Sequence, residues 1–136
     1  MGAINIDRKL HTGITTCFSG KSSDFNTIAS LTAIKCDGYN KLMVQYIITE
    51  TGSPADWDRA GNIVVYGSFT PSGTYTALDG TIENATFAVG ADDEDNEGSG
   101  EIYVVENIPP WVKIGWNNTT EGTKGTIAVY ALPFNE

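Results

Sequence analysis

This 136-residue chain has one histidine, two cysteines and two methionines. A side-chain nucleophile needs an adjacent base, and the base needs a third group to orient it. His11 lies in a polar N-terminal stretch. Cys17 follows it, but closeness along a loop or strand does not predict contact. His11 is therefore read as an exposed side chain, and hydrolytic catalysis as absent. Cys17 and Cys36 form no C-x-x-C pair and have no histidine cluster beside them, so they do not make up the ligand set of a zinc site. Sequence does not decide whether the two pair. Buried free thiols are the expectation, because free cysteine packs as a small hydrophobe. No cofactor or metal is expected.

Basic residues are scarce as well. Eight Lys and Arg face 17 Asp and Glu, for a net charge of -9. Such a surface repels phosphate backbones and anionic lipid, which argues against nucleic-acid and membrane partners. No apolar run approaches the roughly 18 residues of a membrane-spanning helix. The opening MGAINIDRKLHTG has no apolar signal core. It also has Ile6 where an N-myristoylation signal would carry Ser or Thr. Synthesis in a cytoplasm is the expectation, and the sequons at Asn84, Asn117 and Asn118 are read as chance matches.

Hydrophobic residues make up 40% of the chain and charged residues 18%. That is enough apolar material for one domain with its own core. In the C-terminal third, Val112, Ile114 and Trp116 alternate with Lys113 and Gly115, and Ile127 and Val129 with Ala128 and Tyr130. A period of two places successive side chains on opposite faces of a sheet. Similar runs cover 28–36, 42–49, 62–70, 75–78, 81–91, 102–105, 112–116 and 125–132. Turn signals separate them: Asp37-Gly38, Pro71-Ser72-Gly73 and Asp79-Gly80. The reading is all-β: an antiparallel β-sandwich or jelly roll of about eight strands. Residues 1–27 form an irregular N-terminal arm, with a loosely tied strand near Gly13 to Phe18, and 28–136 form the sandwich. Leu42 to Thr49 is apolar on both faces, with Met43 and Ile47 opposite Leu42, Val44, Tyr46 and Ile48. That marks a strand covered on both sides, or one that meets a partner.

Three further groups bear on chemistry. Asp56 and Asp58 flank Trp57 and could share a side of an extended chain, yet in a Pro/Gly loop they are expected to be solvated. Asp92 to Glu97 resembles the start of a calcium loop. Counted from Asp93, it has Glu97 at loop position five, where Asp or Asn is usual, and Val104 where the closing bidentate Glu belongs, so a solvated turn is expected. Trp116 is in phase with Val112 and Ile114 and is assigned to the core. Trp57, in a loop, and Trp111, after Pro109-Pro110, are expected to be exposed. Exposed aromatics mark interfaces, either sugar-binding or between subunits.

The segments DGYNKLMVQYIITETGS, NIVVYGSFTPSGTYTALDG and IPPWVKIGWNNTTEGTKGTIAVYALPF cover most of residues 37 to 134. They resemble the small β-sandwich proteins of tailed bacteriophage particles, the capsid decoration (cement) and head- or tail-associated proteins. The resemblance implies a structural virion protein made in the host cytoplasm and seated on the capsid surface. It implies a homo-oligomer, a trimer in that family, on the major capsid protein, without catalytic residues. Ile4, Ile6, Leu10 and Phe18 of the arm, with Trp57 and Trp111, are the candidate interaction residues. The alternative is a carbohydrate- or receptor-binding module of a phage tail or fibre on the same sandwich.

Overall fold

A computed structural model describes residues 14–78, 86–90 and 99–135. The described residues form nine strands: β1 Thr15–Gly20, β2 Ile34–Lys35, β3 Lys41–Thr49, β4 Ala60–Ser68, β5 Thr76–Ala77, β6 Thr86–Val89, β7 Ile102–Glu106, β8 Trp111–Thr120 and β9 Thr126–Phe134. All pairings are antiparallel. One sheet has the order β1-β9-β3-β7, and the other runs β2-β8-β4 with β5 and β6 both on the far edge of β4. β5 pairs with Tyr66 and Gly67, and β6 with Gly61 to Val64, so the two act as one interrupted strand. The two sheets make an antiparallel sandwich, and apart from β4, β5 and β6 the chain changes sheet at each connection, within the expected sandwich or jelly roll.

The alternation seen in the sequence becomes the core. Leu42, Val44 and Tyr46 of β3 point inward, as do Ile63 and Val65 of β4, Val112, Ile114 and Trp116 of β8, and Ile127, Val129 and Ala131 of β9. Tyr46 stacks on Tyr103 at 6.1 Å between ring centres, and Tyr103 meets Phe87 at 4.7 Å, which links the two sheets through aromatic contacts. Burial raises the Tyr46 hydroxyl pKa, with Tyr103 beside it as a second cause. The inward face of β4 also carries Gly61. A Cβ there would lie 2.5 Å from the Trp116 ring, so the indole occupies the space of the missing side chain.

Two expectations change. Ile28 to Cys36 was expected to be a strand. Instead a short 3-10 turn covers Ile28–Ser30, and only Ile34–Lys35 pairs with β8. Local bonds explain the difference. Leu31 N–H donates to the Ile28 carbonyl at 3.2 Å and Ser30 Oγ to the Thr27 carbonyl at 2.9 Å, which closes the chain on itself. The segment then lies across the outer face of β8. A Cβ on Gly115 would lie 2.5 Å from Leu31 Cδ1 and 3.0 Å from the Phe25 carbonyl oxygen. The expected arm also shrinks, because β1 is hydrogen-bonded along β9 and belongs to the sandwich. Ile4, Ile6, Leu10 and His11 lie outside the described residues, as do Asp79-Gly80, the sequon Asn84 and the acidic stretch Asp92 to Glu97.

Cys17 and Cys36 are free and buried. Burial pushes both thiols up to about 12, Cys17 with a further rise from Cys36 nearby. Only the thiolate attacks a disulfide reagent. Both thiols should therefore be unreactive toward an aromatic disulfide reagent at mildly alkaline pH in the folded protein, and both should react at once in denaturant. Stoichiometric labelling of the native protein would contradict this arrangement.

Candidate binding surfaces

At one end of the sandwich the two loops that change sheets grip each other. One is 50–59, between β3 and β4, and the other is 121–125, between β8 and β9. Asp58 Oδ1 accepts the amides of Thr123 at 2.8 Å and Lys124 at 2.7 Å, and Oδ2 accepts the Thr123 hydroxyl at 3.3 Å. The Lys124 amide is the main reason the Asp58 pKa lies below the ordinary aspartate value, since bonds to the charged form favour it. Arg59, only 4% exposed, donates from Nε to the Gly125 carbonyl at 2.9 Å and from Nη1 to the Glu121 carbonyl at 3.1 Å. Lys124 Nζ reaches the Pro54 carbonyl at 3.2 Å, and Gly125 N–H donates to Thr51 Oγ1 at 2.7 Å.

Trp57 sits beneath this clasp. It was expected to be exposed, and the structure corrects that: it is 1% exposed. Its ring meets Trp116 edge-to-face at 6.4 Å, and Nε1 donates to the Gly90 carbonyl at 2.8 Å. The pinned loop turns its aromatic side chain into the core. Asp56 Oδ1 accepts the Trp57 amide at 2.8 Å. The two aspartates thus hold backbone and do not face one another across a cleft. Trp111 is half-buried at the start of β8, opposite Lys35 on β2 and Ser68 on β4. Phe18 lies in β1 in register with Val129. Trp57, Trp111 and Phe18 therefore do not gather into one site. Among the described residues no group of three or more His, Cys, Asp or Glu could hold a metal ion.

Two surfaces remain. The first is the outer face of the β1-β9-β3-β7 sheet. Met43 lies between Leu132 and Val104, Gln45 between Tyr130 and Ile102, and Ile47 beside Ala128. Ile14, Met43, Gln45, Ile102, Tyr130 and Leu132 line a shallow depression of about 120 Å³ there. Ile14 is 71%, Ile102 61% and Ile47 41% exposed. A Lys41–Glu106 ion pair at 3.1 Å closes one end of this face. The opposite sheet hides its outer face under residues of its own chain: Phe25 and Leu31 over Gly115, and Tyr75 under Lys113 Nζ at 4.6 Å from its ring centre.

The second surface is a groove of about 740 Å³ at the end away from the clasp. The end of β4, the 69–76 loop, Leu78 and the connection 107–110 line it. Phe69 is 84% exposed at its edge. The strand expected over 62–70 includes Phe69. β4 ends at Ser68, however, and Phe69 turns outward with the loop. Met43 and Ile47 were legible as a second apolar face, while nothing in the alternation singles out Phe69 or Asn107.

Comparison with protein-family models, curated proteins and solved structures finds no match to the chain.

Two outcomes test the clasp. Gly125 has φ +93°, and a Cβ there would lie 2.5 Å from Trp57 Cε3. Gly125→Ala should cost about 1–3 kcal/mol in urea unfolding, through strain and overpacking together. Asp58 has a lowered folded pKa. Its contribution to stability is present above the unfolded value and lost as pH falls through the folded one. Asp58→Asn should therefore be less stable than the parent chain at neutral pH, with the gap closing in acid. A gap that stays constant with pH would rule out the charge as its cause.

Proposed function

We propose that the chain is a non-catalytic structural protein of a bacteriophage particle. In this reading it is a decoration or cement protein that acts as a homo-oligomer on the major capsid protein. The observation that carries the proposal is the bare outer face of the β1-β9-β3-β7 sheet. Apolar burial contributes about 25 cal/mol per Å² before the costs of association, so a flat row of Ile, Met, Val and Leu gains most by meeting a similar surface. Among the described residues one sheet is covered by its own chain and the other is not, and that asymmetry is what a subunit built to be packed against needs. Ile4, Ile6 and Leu10 precede Ile14 in the chain, and Ile14 lies on this face, so an arm could extend the same apolar contact. The trimer, the phage particle and the capsid partner come from the resemblance of the strand-and-turn segments. The acidic charge is compatible with a protein partner and opposes nucleic acid.

Multi-angle light scattering on the purified chain, alone and with undecorated phage heads, tests this reading. The parent chain should be larger than a monomer or should sediment with the heads. Ile102→Glu should abolish whichever association is seen while leaving the circular dichroism unchanged. A monomer that does not sediment with heads, or an Ile102→Glu variant that associates as well as the parent, would overturn the proposal.

A further inference from the structure

We infer that the groove at the end away from the clasp binds an uncharged saccharide. Among the described residues its lining, drawn from Gly67 to Leu78 and from Asn107 to Pro110, contains no titratable side chain. In a chain of net charge -9, a neutral groove of this extent favours a ligand that brings no charge. Its volume, about 740 Å³, falls in the range usual for small-ligand sites, roughly 300–1,000 Å³.

The lining is mostly apolar and carries a few polar groups, a mixture that suits the C–H faces and hydroxyls of a sugar. The rim carries an aromatic ring, Phe69, which is 84% exposed and free to lie against the C–H face of a sugar. Hydroxyls from Ser68, Thr70, Thr74 and Thr76 and the amide of Asn107 offer donors and acceptors of both kinds. Ser68 is the informative one. It is 92% buried, being 8% exposed. Its Oγ accepts the Thr70 amide at 3.3 Å, and its own hydroxyl proton finds no acceptor among the described residues. A buried donor left over beside a groove is a group for which a ligand oxygen would be the partner.

The groove is also held open. A Cβ on Gly67 would lie 2.4 Å from Pro109 Cγ and 2.9 Å from Leu78 Cδ2, so the floor is already packed to contact and does not collapse further. Tyr75 fixes the 69–76 loop from behind, its hydroxyl donating to the Pro71 carbonyl at 2.9 Å. Asn107 has φ +55°, a backbone setting that asparagine tolerates and that presents its amide at the turn between β7 and β8. The inference is independent of the assembly reading, because the groove shares no lining residue with the apolar sheet face.

The test is a glycan array carrying neutral and acidic oligosaccharides, probed with the parent chain, Phe69→Ala, Asn107→Gly and Ile102→Glu. Phe69 is exposed and glycine accepts a positive φ, so both groove variants should keep the parent circular dichroism. The parent chain should bind at least one group of neutral glycans. Phe69→Ala should weaken that binding about ten-fold, the loss expected for one stacked ring. Asn107→Gly should weaken it too, while Ile102→Glu should keep the same preference for neutral glycans. Absence of binding to any neutral glycan, binding to acidic glycans alone, or a Phe69→Ala variant that binds like the parent would overturn the inference.

Discussion

The contact on which the architecture depends is the edge-to-face meeting of Trp57 and Trp116 under the clasp of two crossing loops. A jelly roll must pass its chain from one sheet to the other several times, and each passage leaves backbone groups that no ladder satisfies. Here the two passages at one end satisfy each other. Asp58 takes the amides of 123 and 124, Arg59 takes the carbonyls of 121 and 125, and Thr51 takes the amide of 125. Trp57 directly precedes Asp58 and Arg59, and its ring meets Trp116. The buried guanidinium is tolerable because backbone carbonyls face it.

With that end fixed, the rest of the molecule differentiates. The groove forms at the end away from the clasp. The two sheets differ in a second way. The β2-β8-β4 sheet uses Phe25 and Leu31 as a lid, which requires Gly115 to have no side chain. The β1-β9-β3-β7 sheet has no such lid among the described residues. Its outer positions, Met43, Ile47, Ile102, Tyr130 and Leu132, follow the same alternation as the inward ones and are apolar on both sides. The clasp and the lidded sheet thus hold the fold, and the bare sheet face and the groove are the two surfaces turned outward.

The alternation of Val112, Ile114 and Trp116, and of Ile127 and Val129, was legible because a half-buried strand repeats every two residues. The apolar second face of Leu42 to Thr49 was legible for the same reason. What escaped lay outside that period. Ala29 and Ser30 look like strand residues until local hydrogen bonds close a turn, and covering β8 then matters more than pairing with it. Trp57 reads as an exposed loop aromatic because nothing in its neighbours reveals that Asp58 and Arg59 reach a loop more than sixty residues away, the Arg59 bond to Gly125 spanning 66 residues. Phe69 falls inside the expected strand 62–70, but β4 stops at Ser68 and the turn carries the ring outward.

The glycines of β4 carry one more consequence. Inside–outside parity forbids a slip of one residue between paired strands but permits a slip of two, since the apolar set stays on its own face. β4 pairs with β8 along its whole length, and Gly61 and Gly67 bracket Ile63 and Val65 on its inward side. Moved two places one way, Ile63 would replace Gly61 against Trp116 and Phe69 would replace Gly67 against Pro109; moved the other way, Arg59 and Val65 would take those places. Neither has room. Two absent side chains therefore act as an alignment key that leaves the central strand one way to dock.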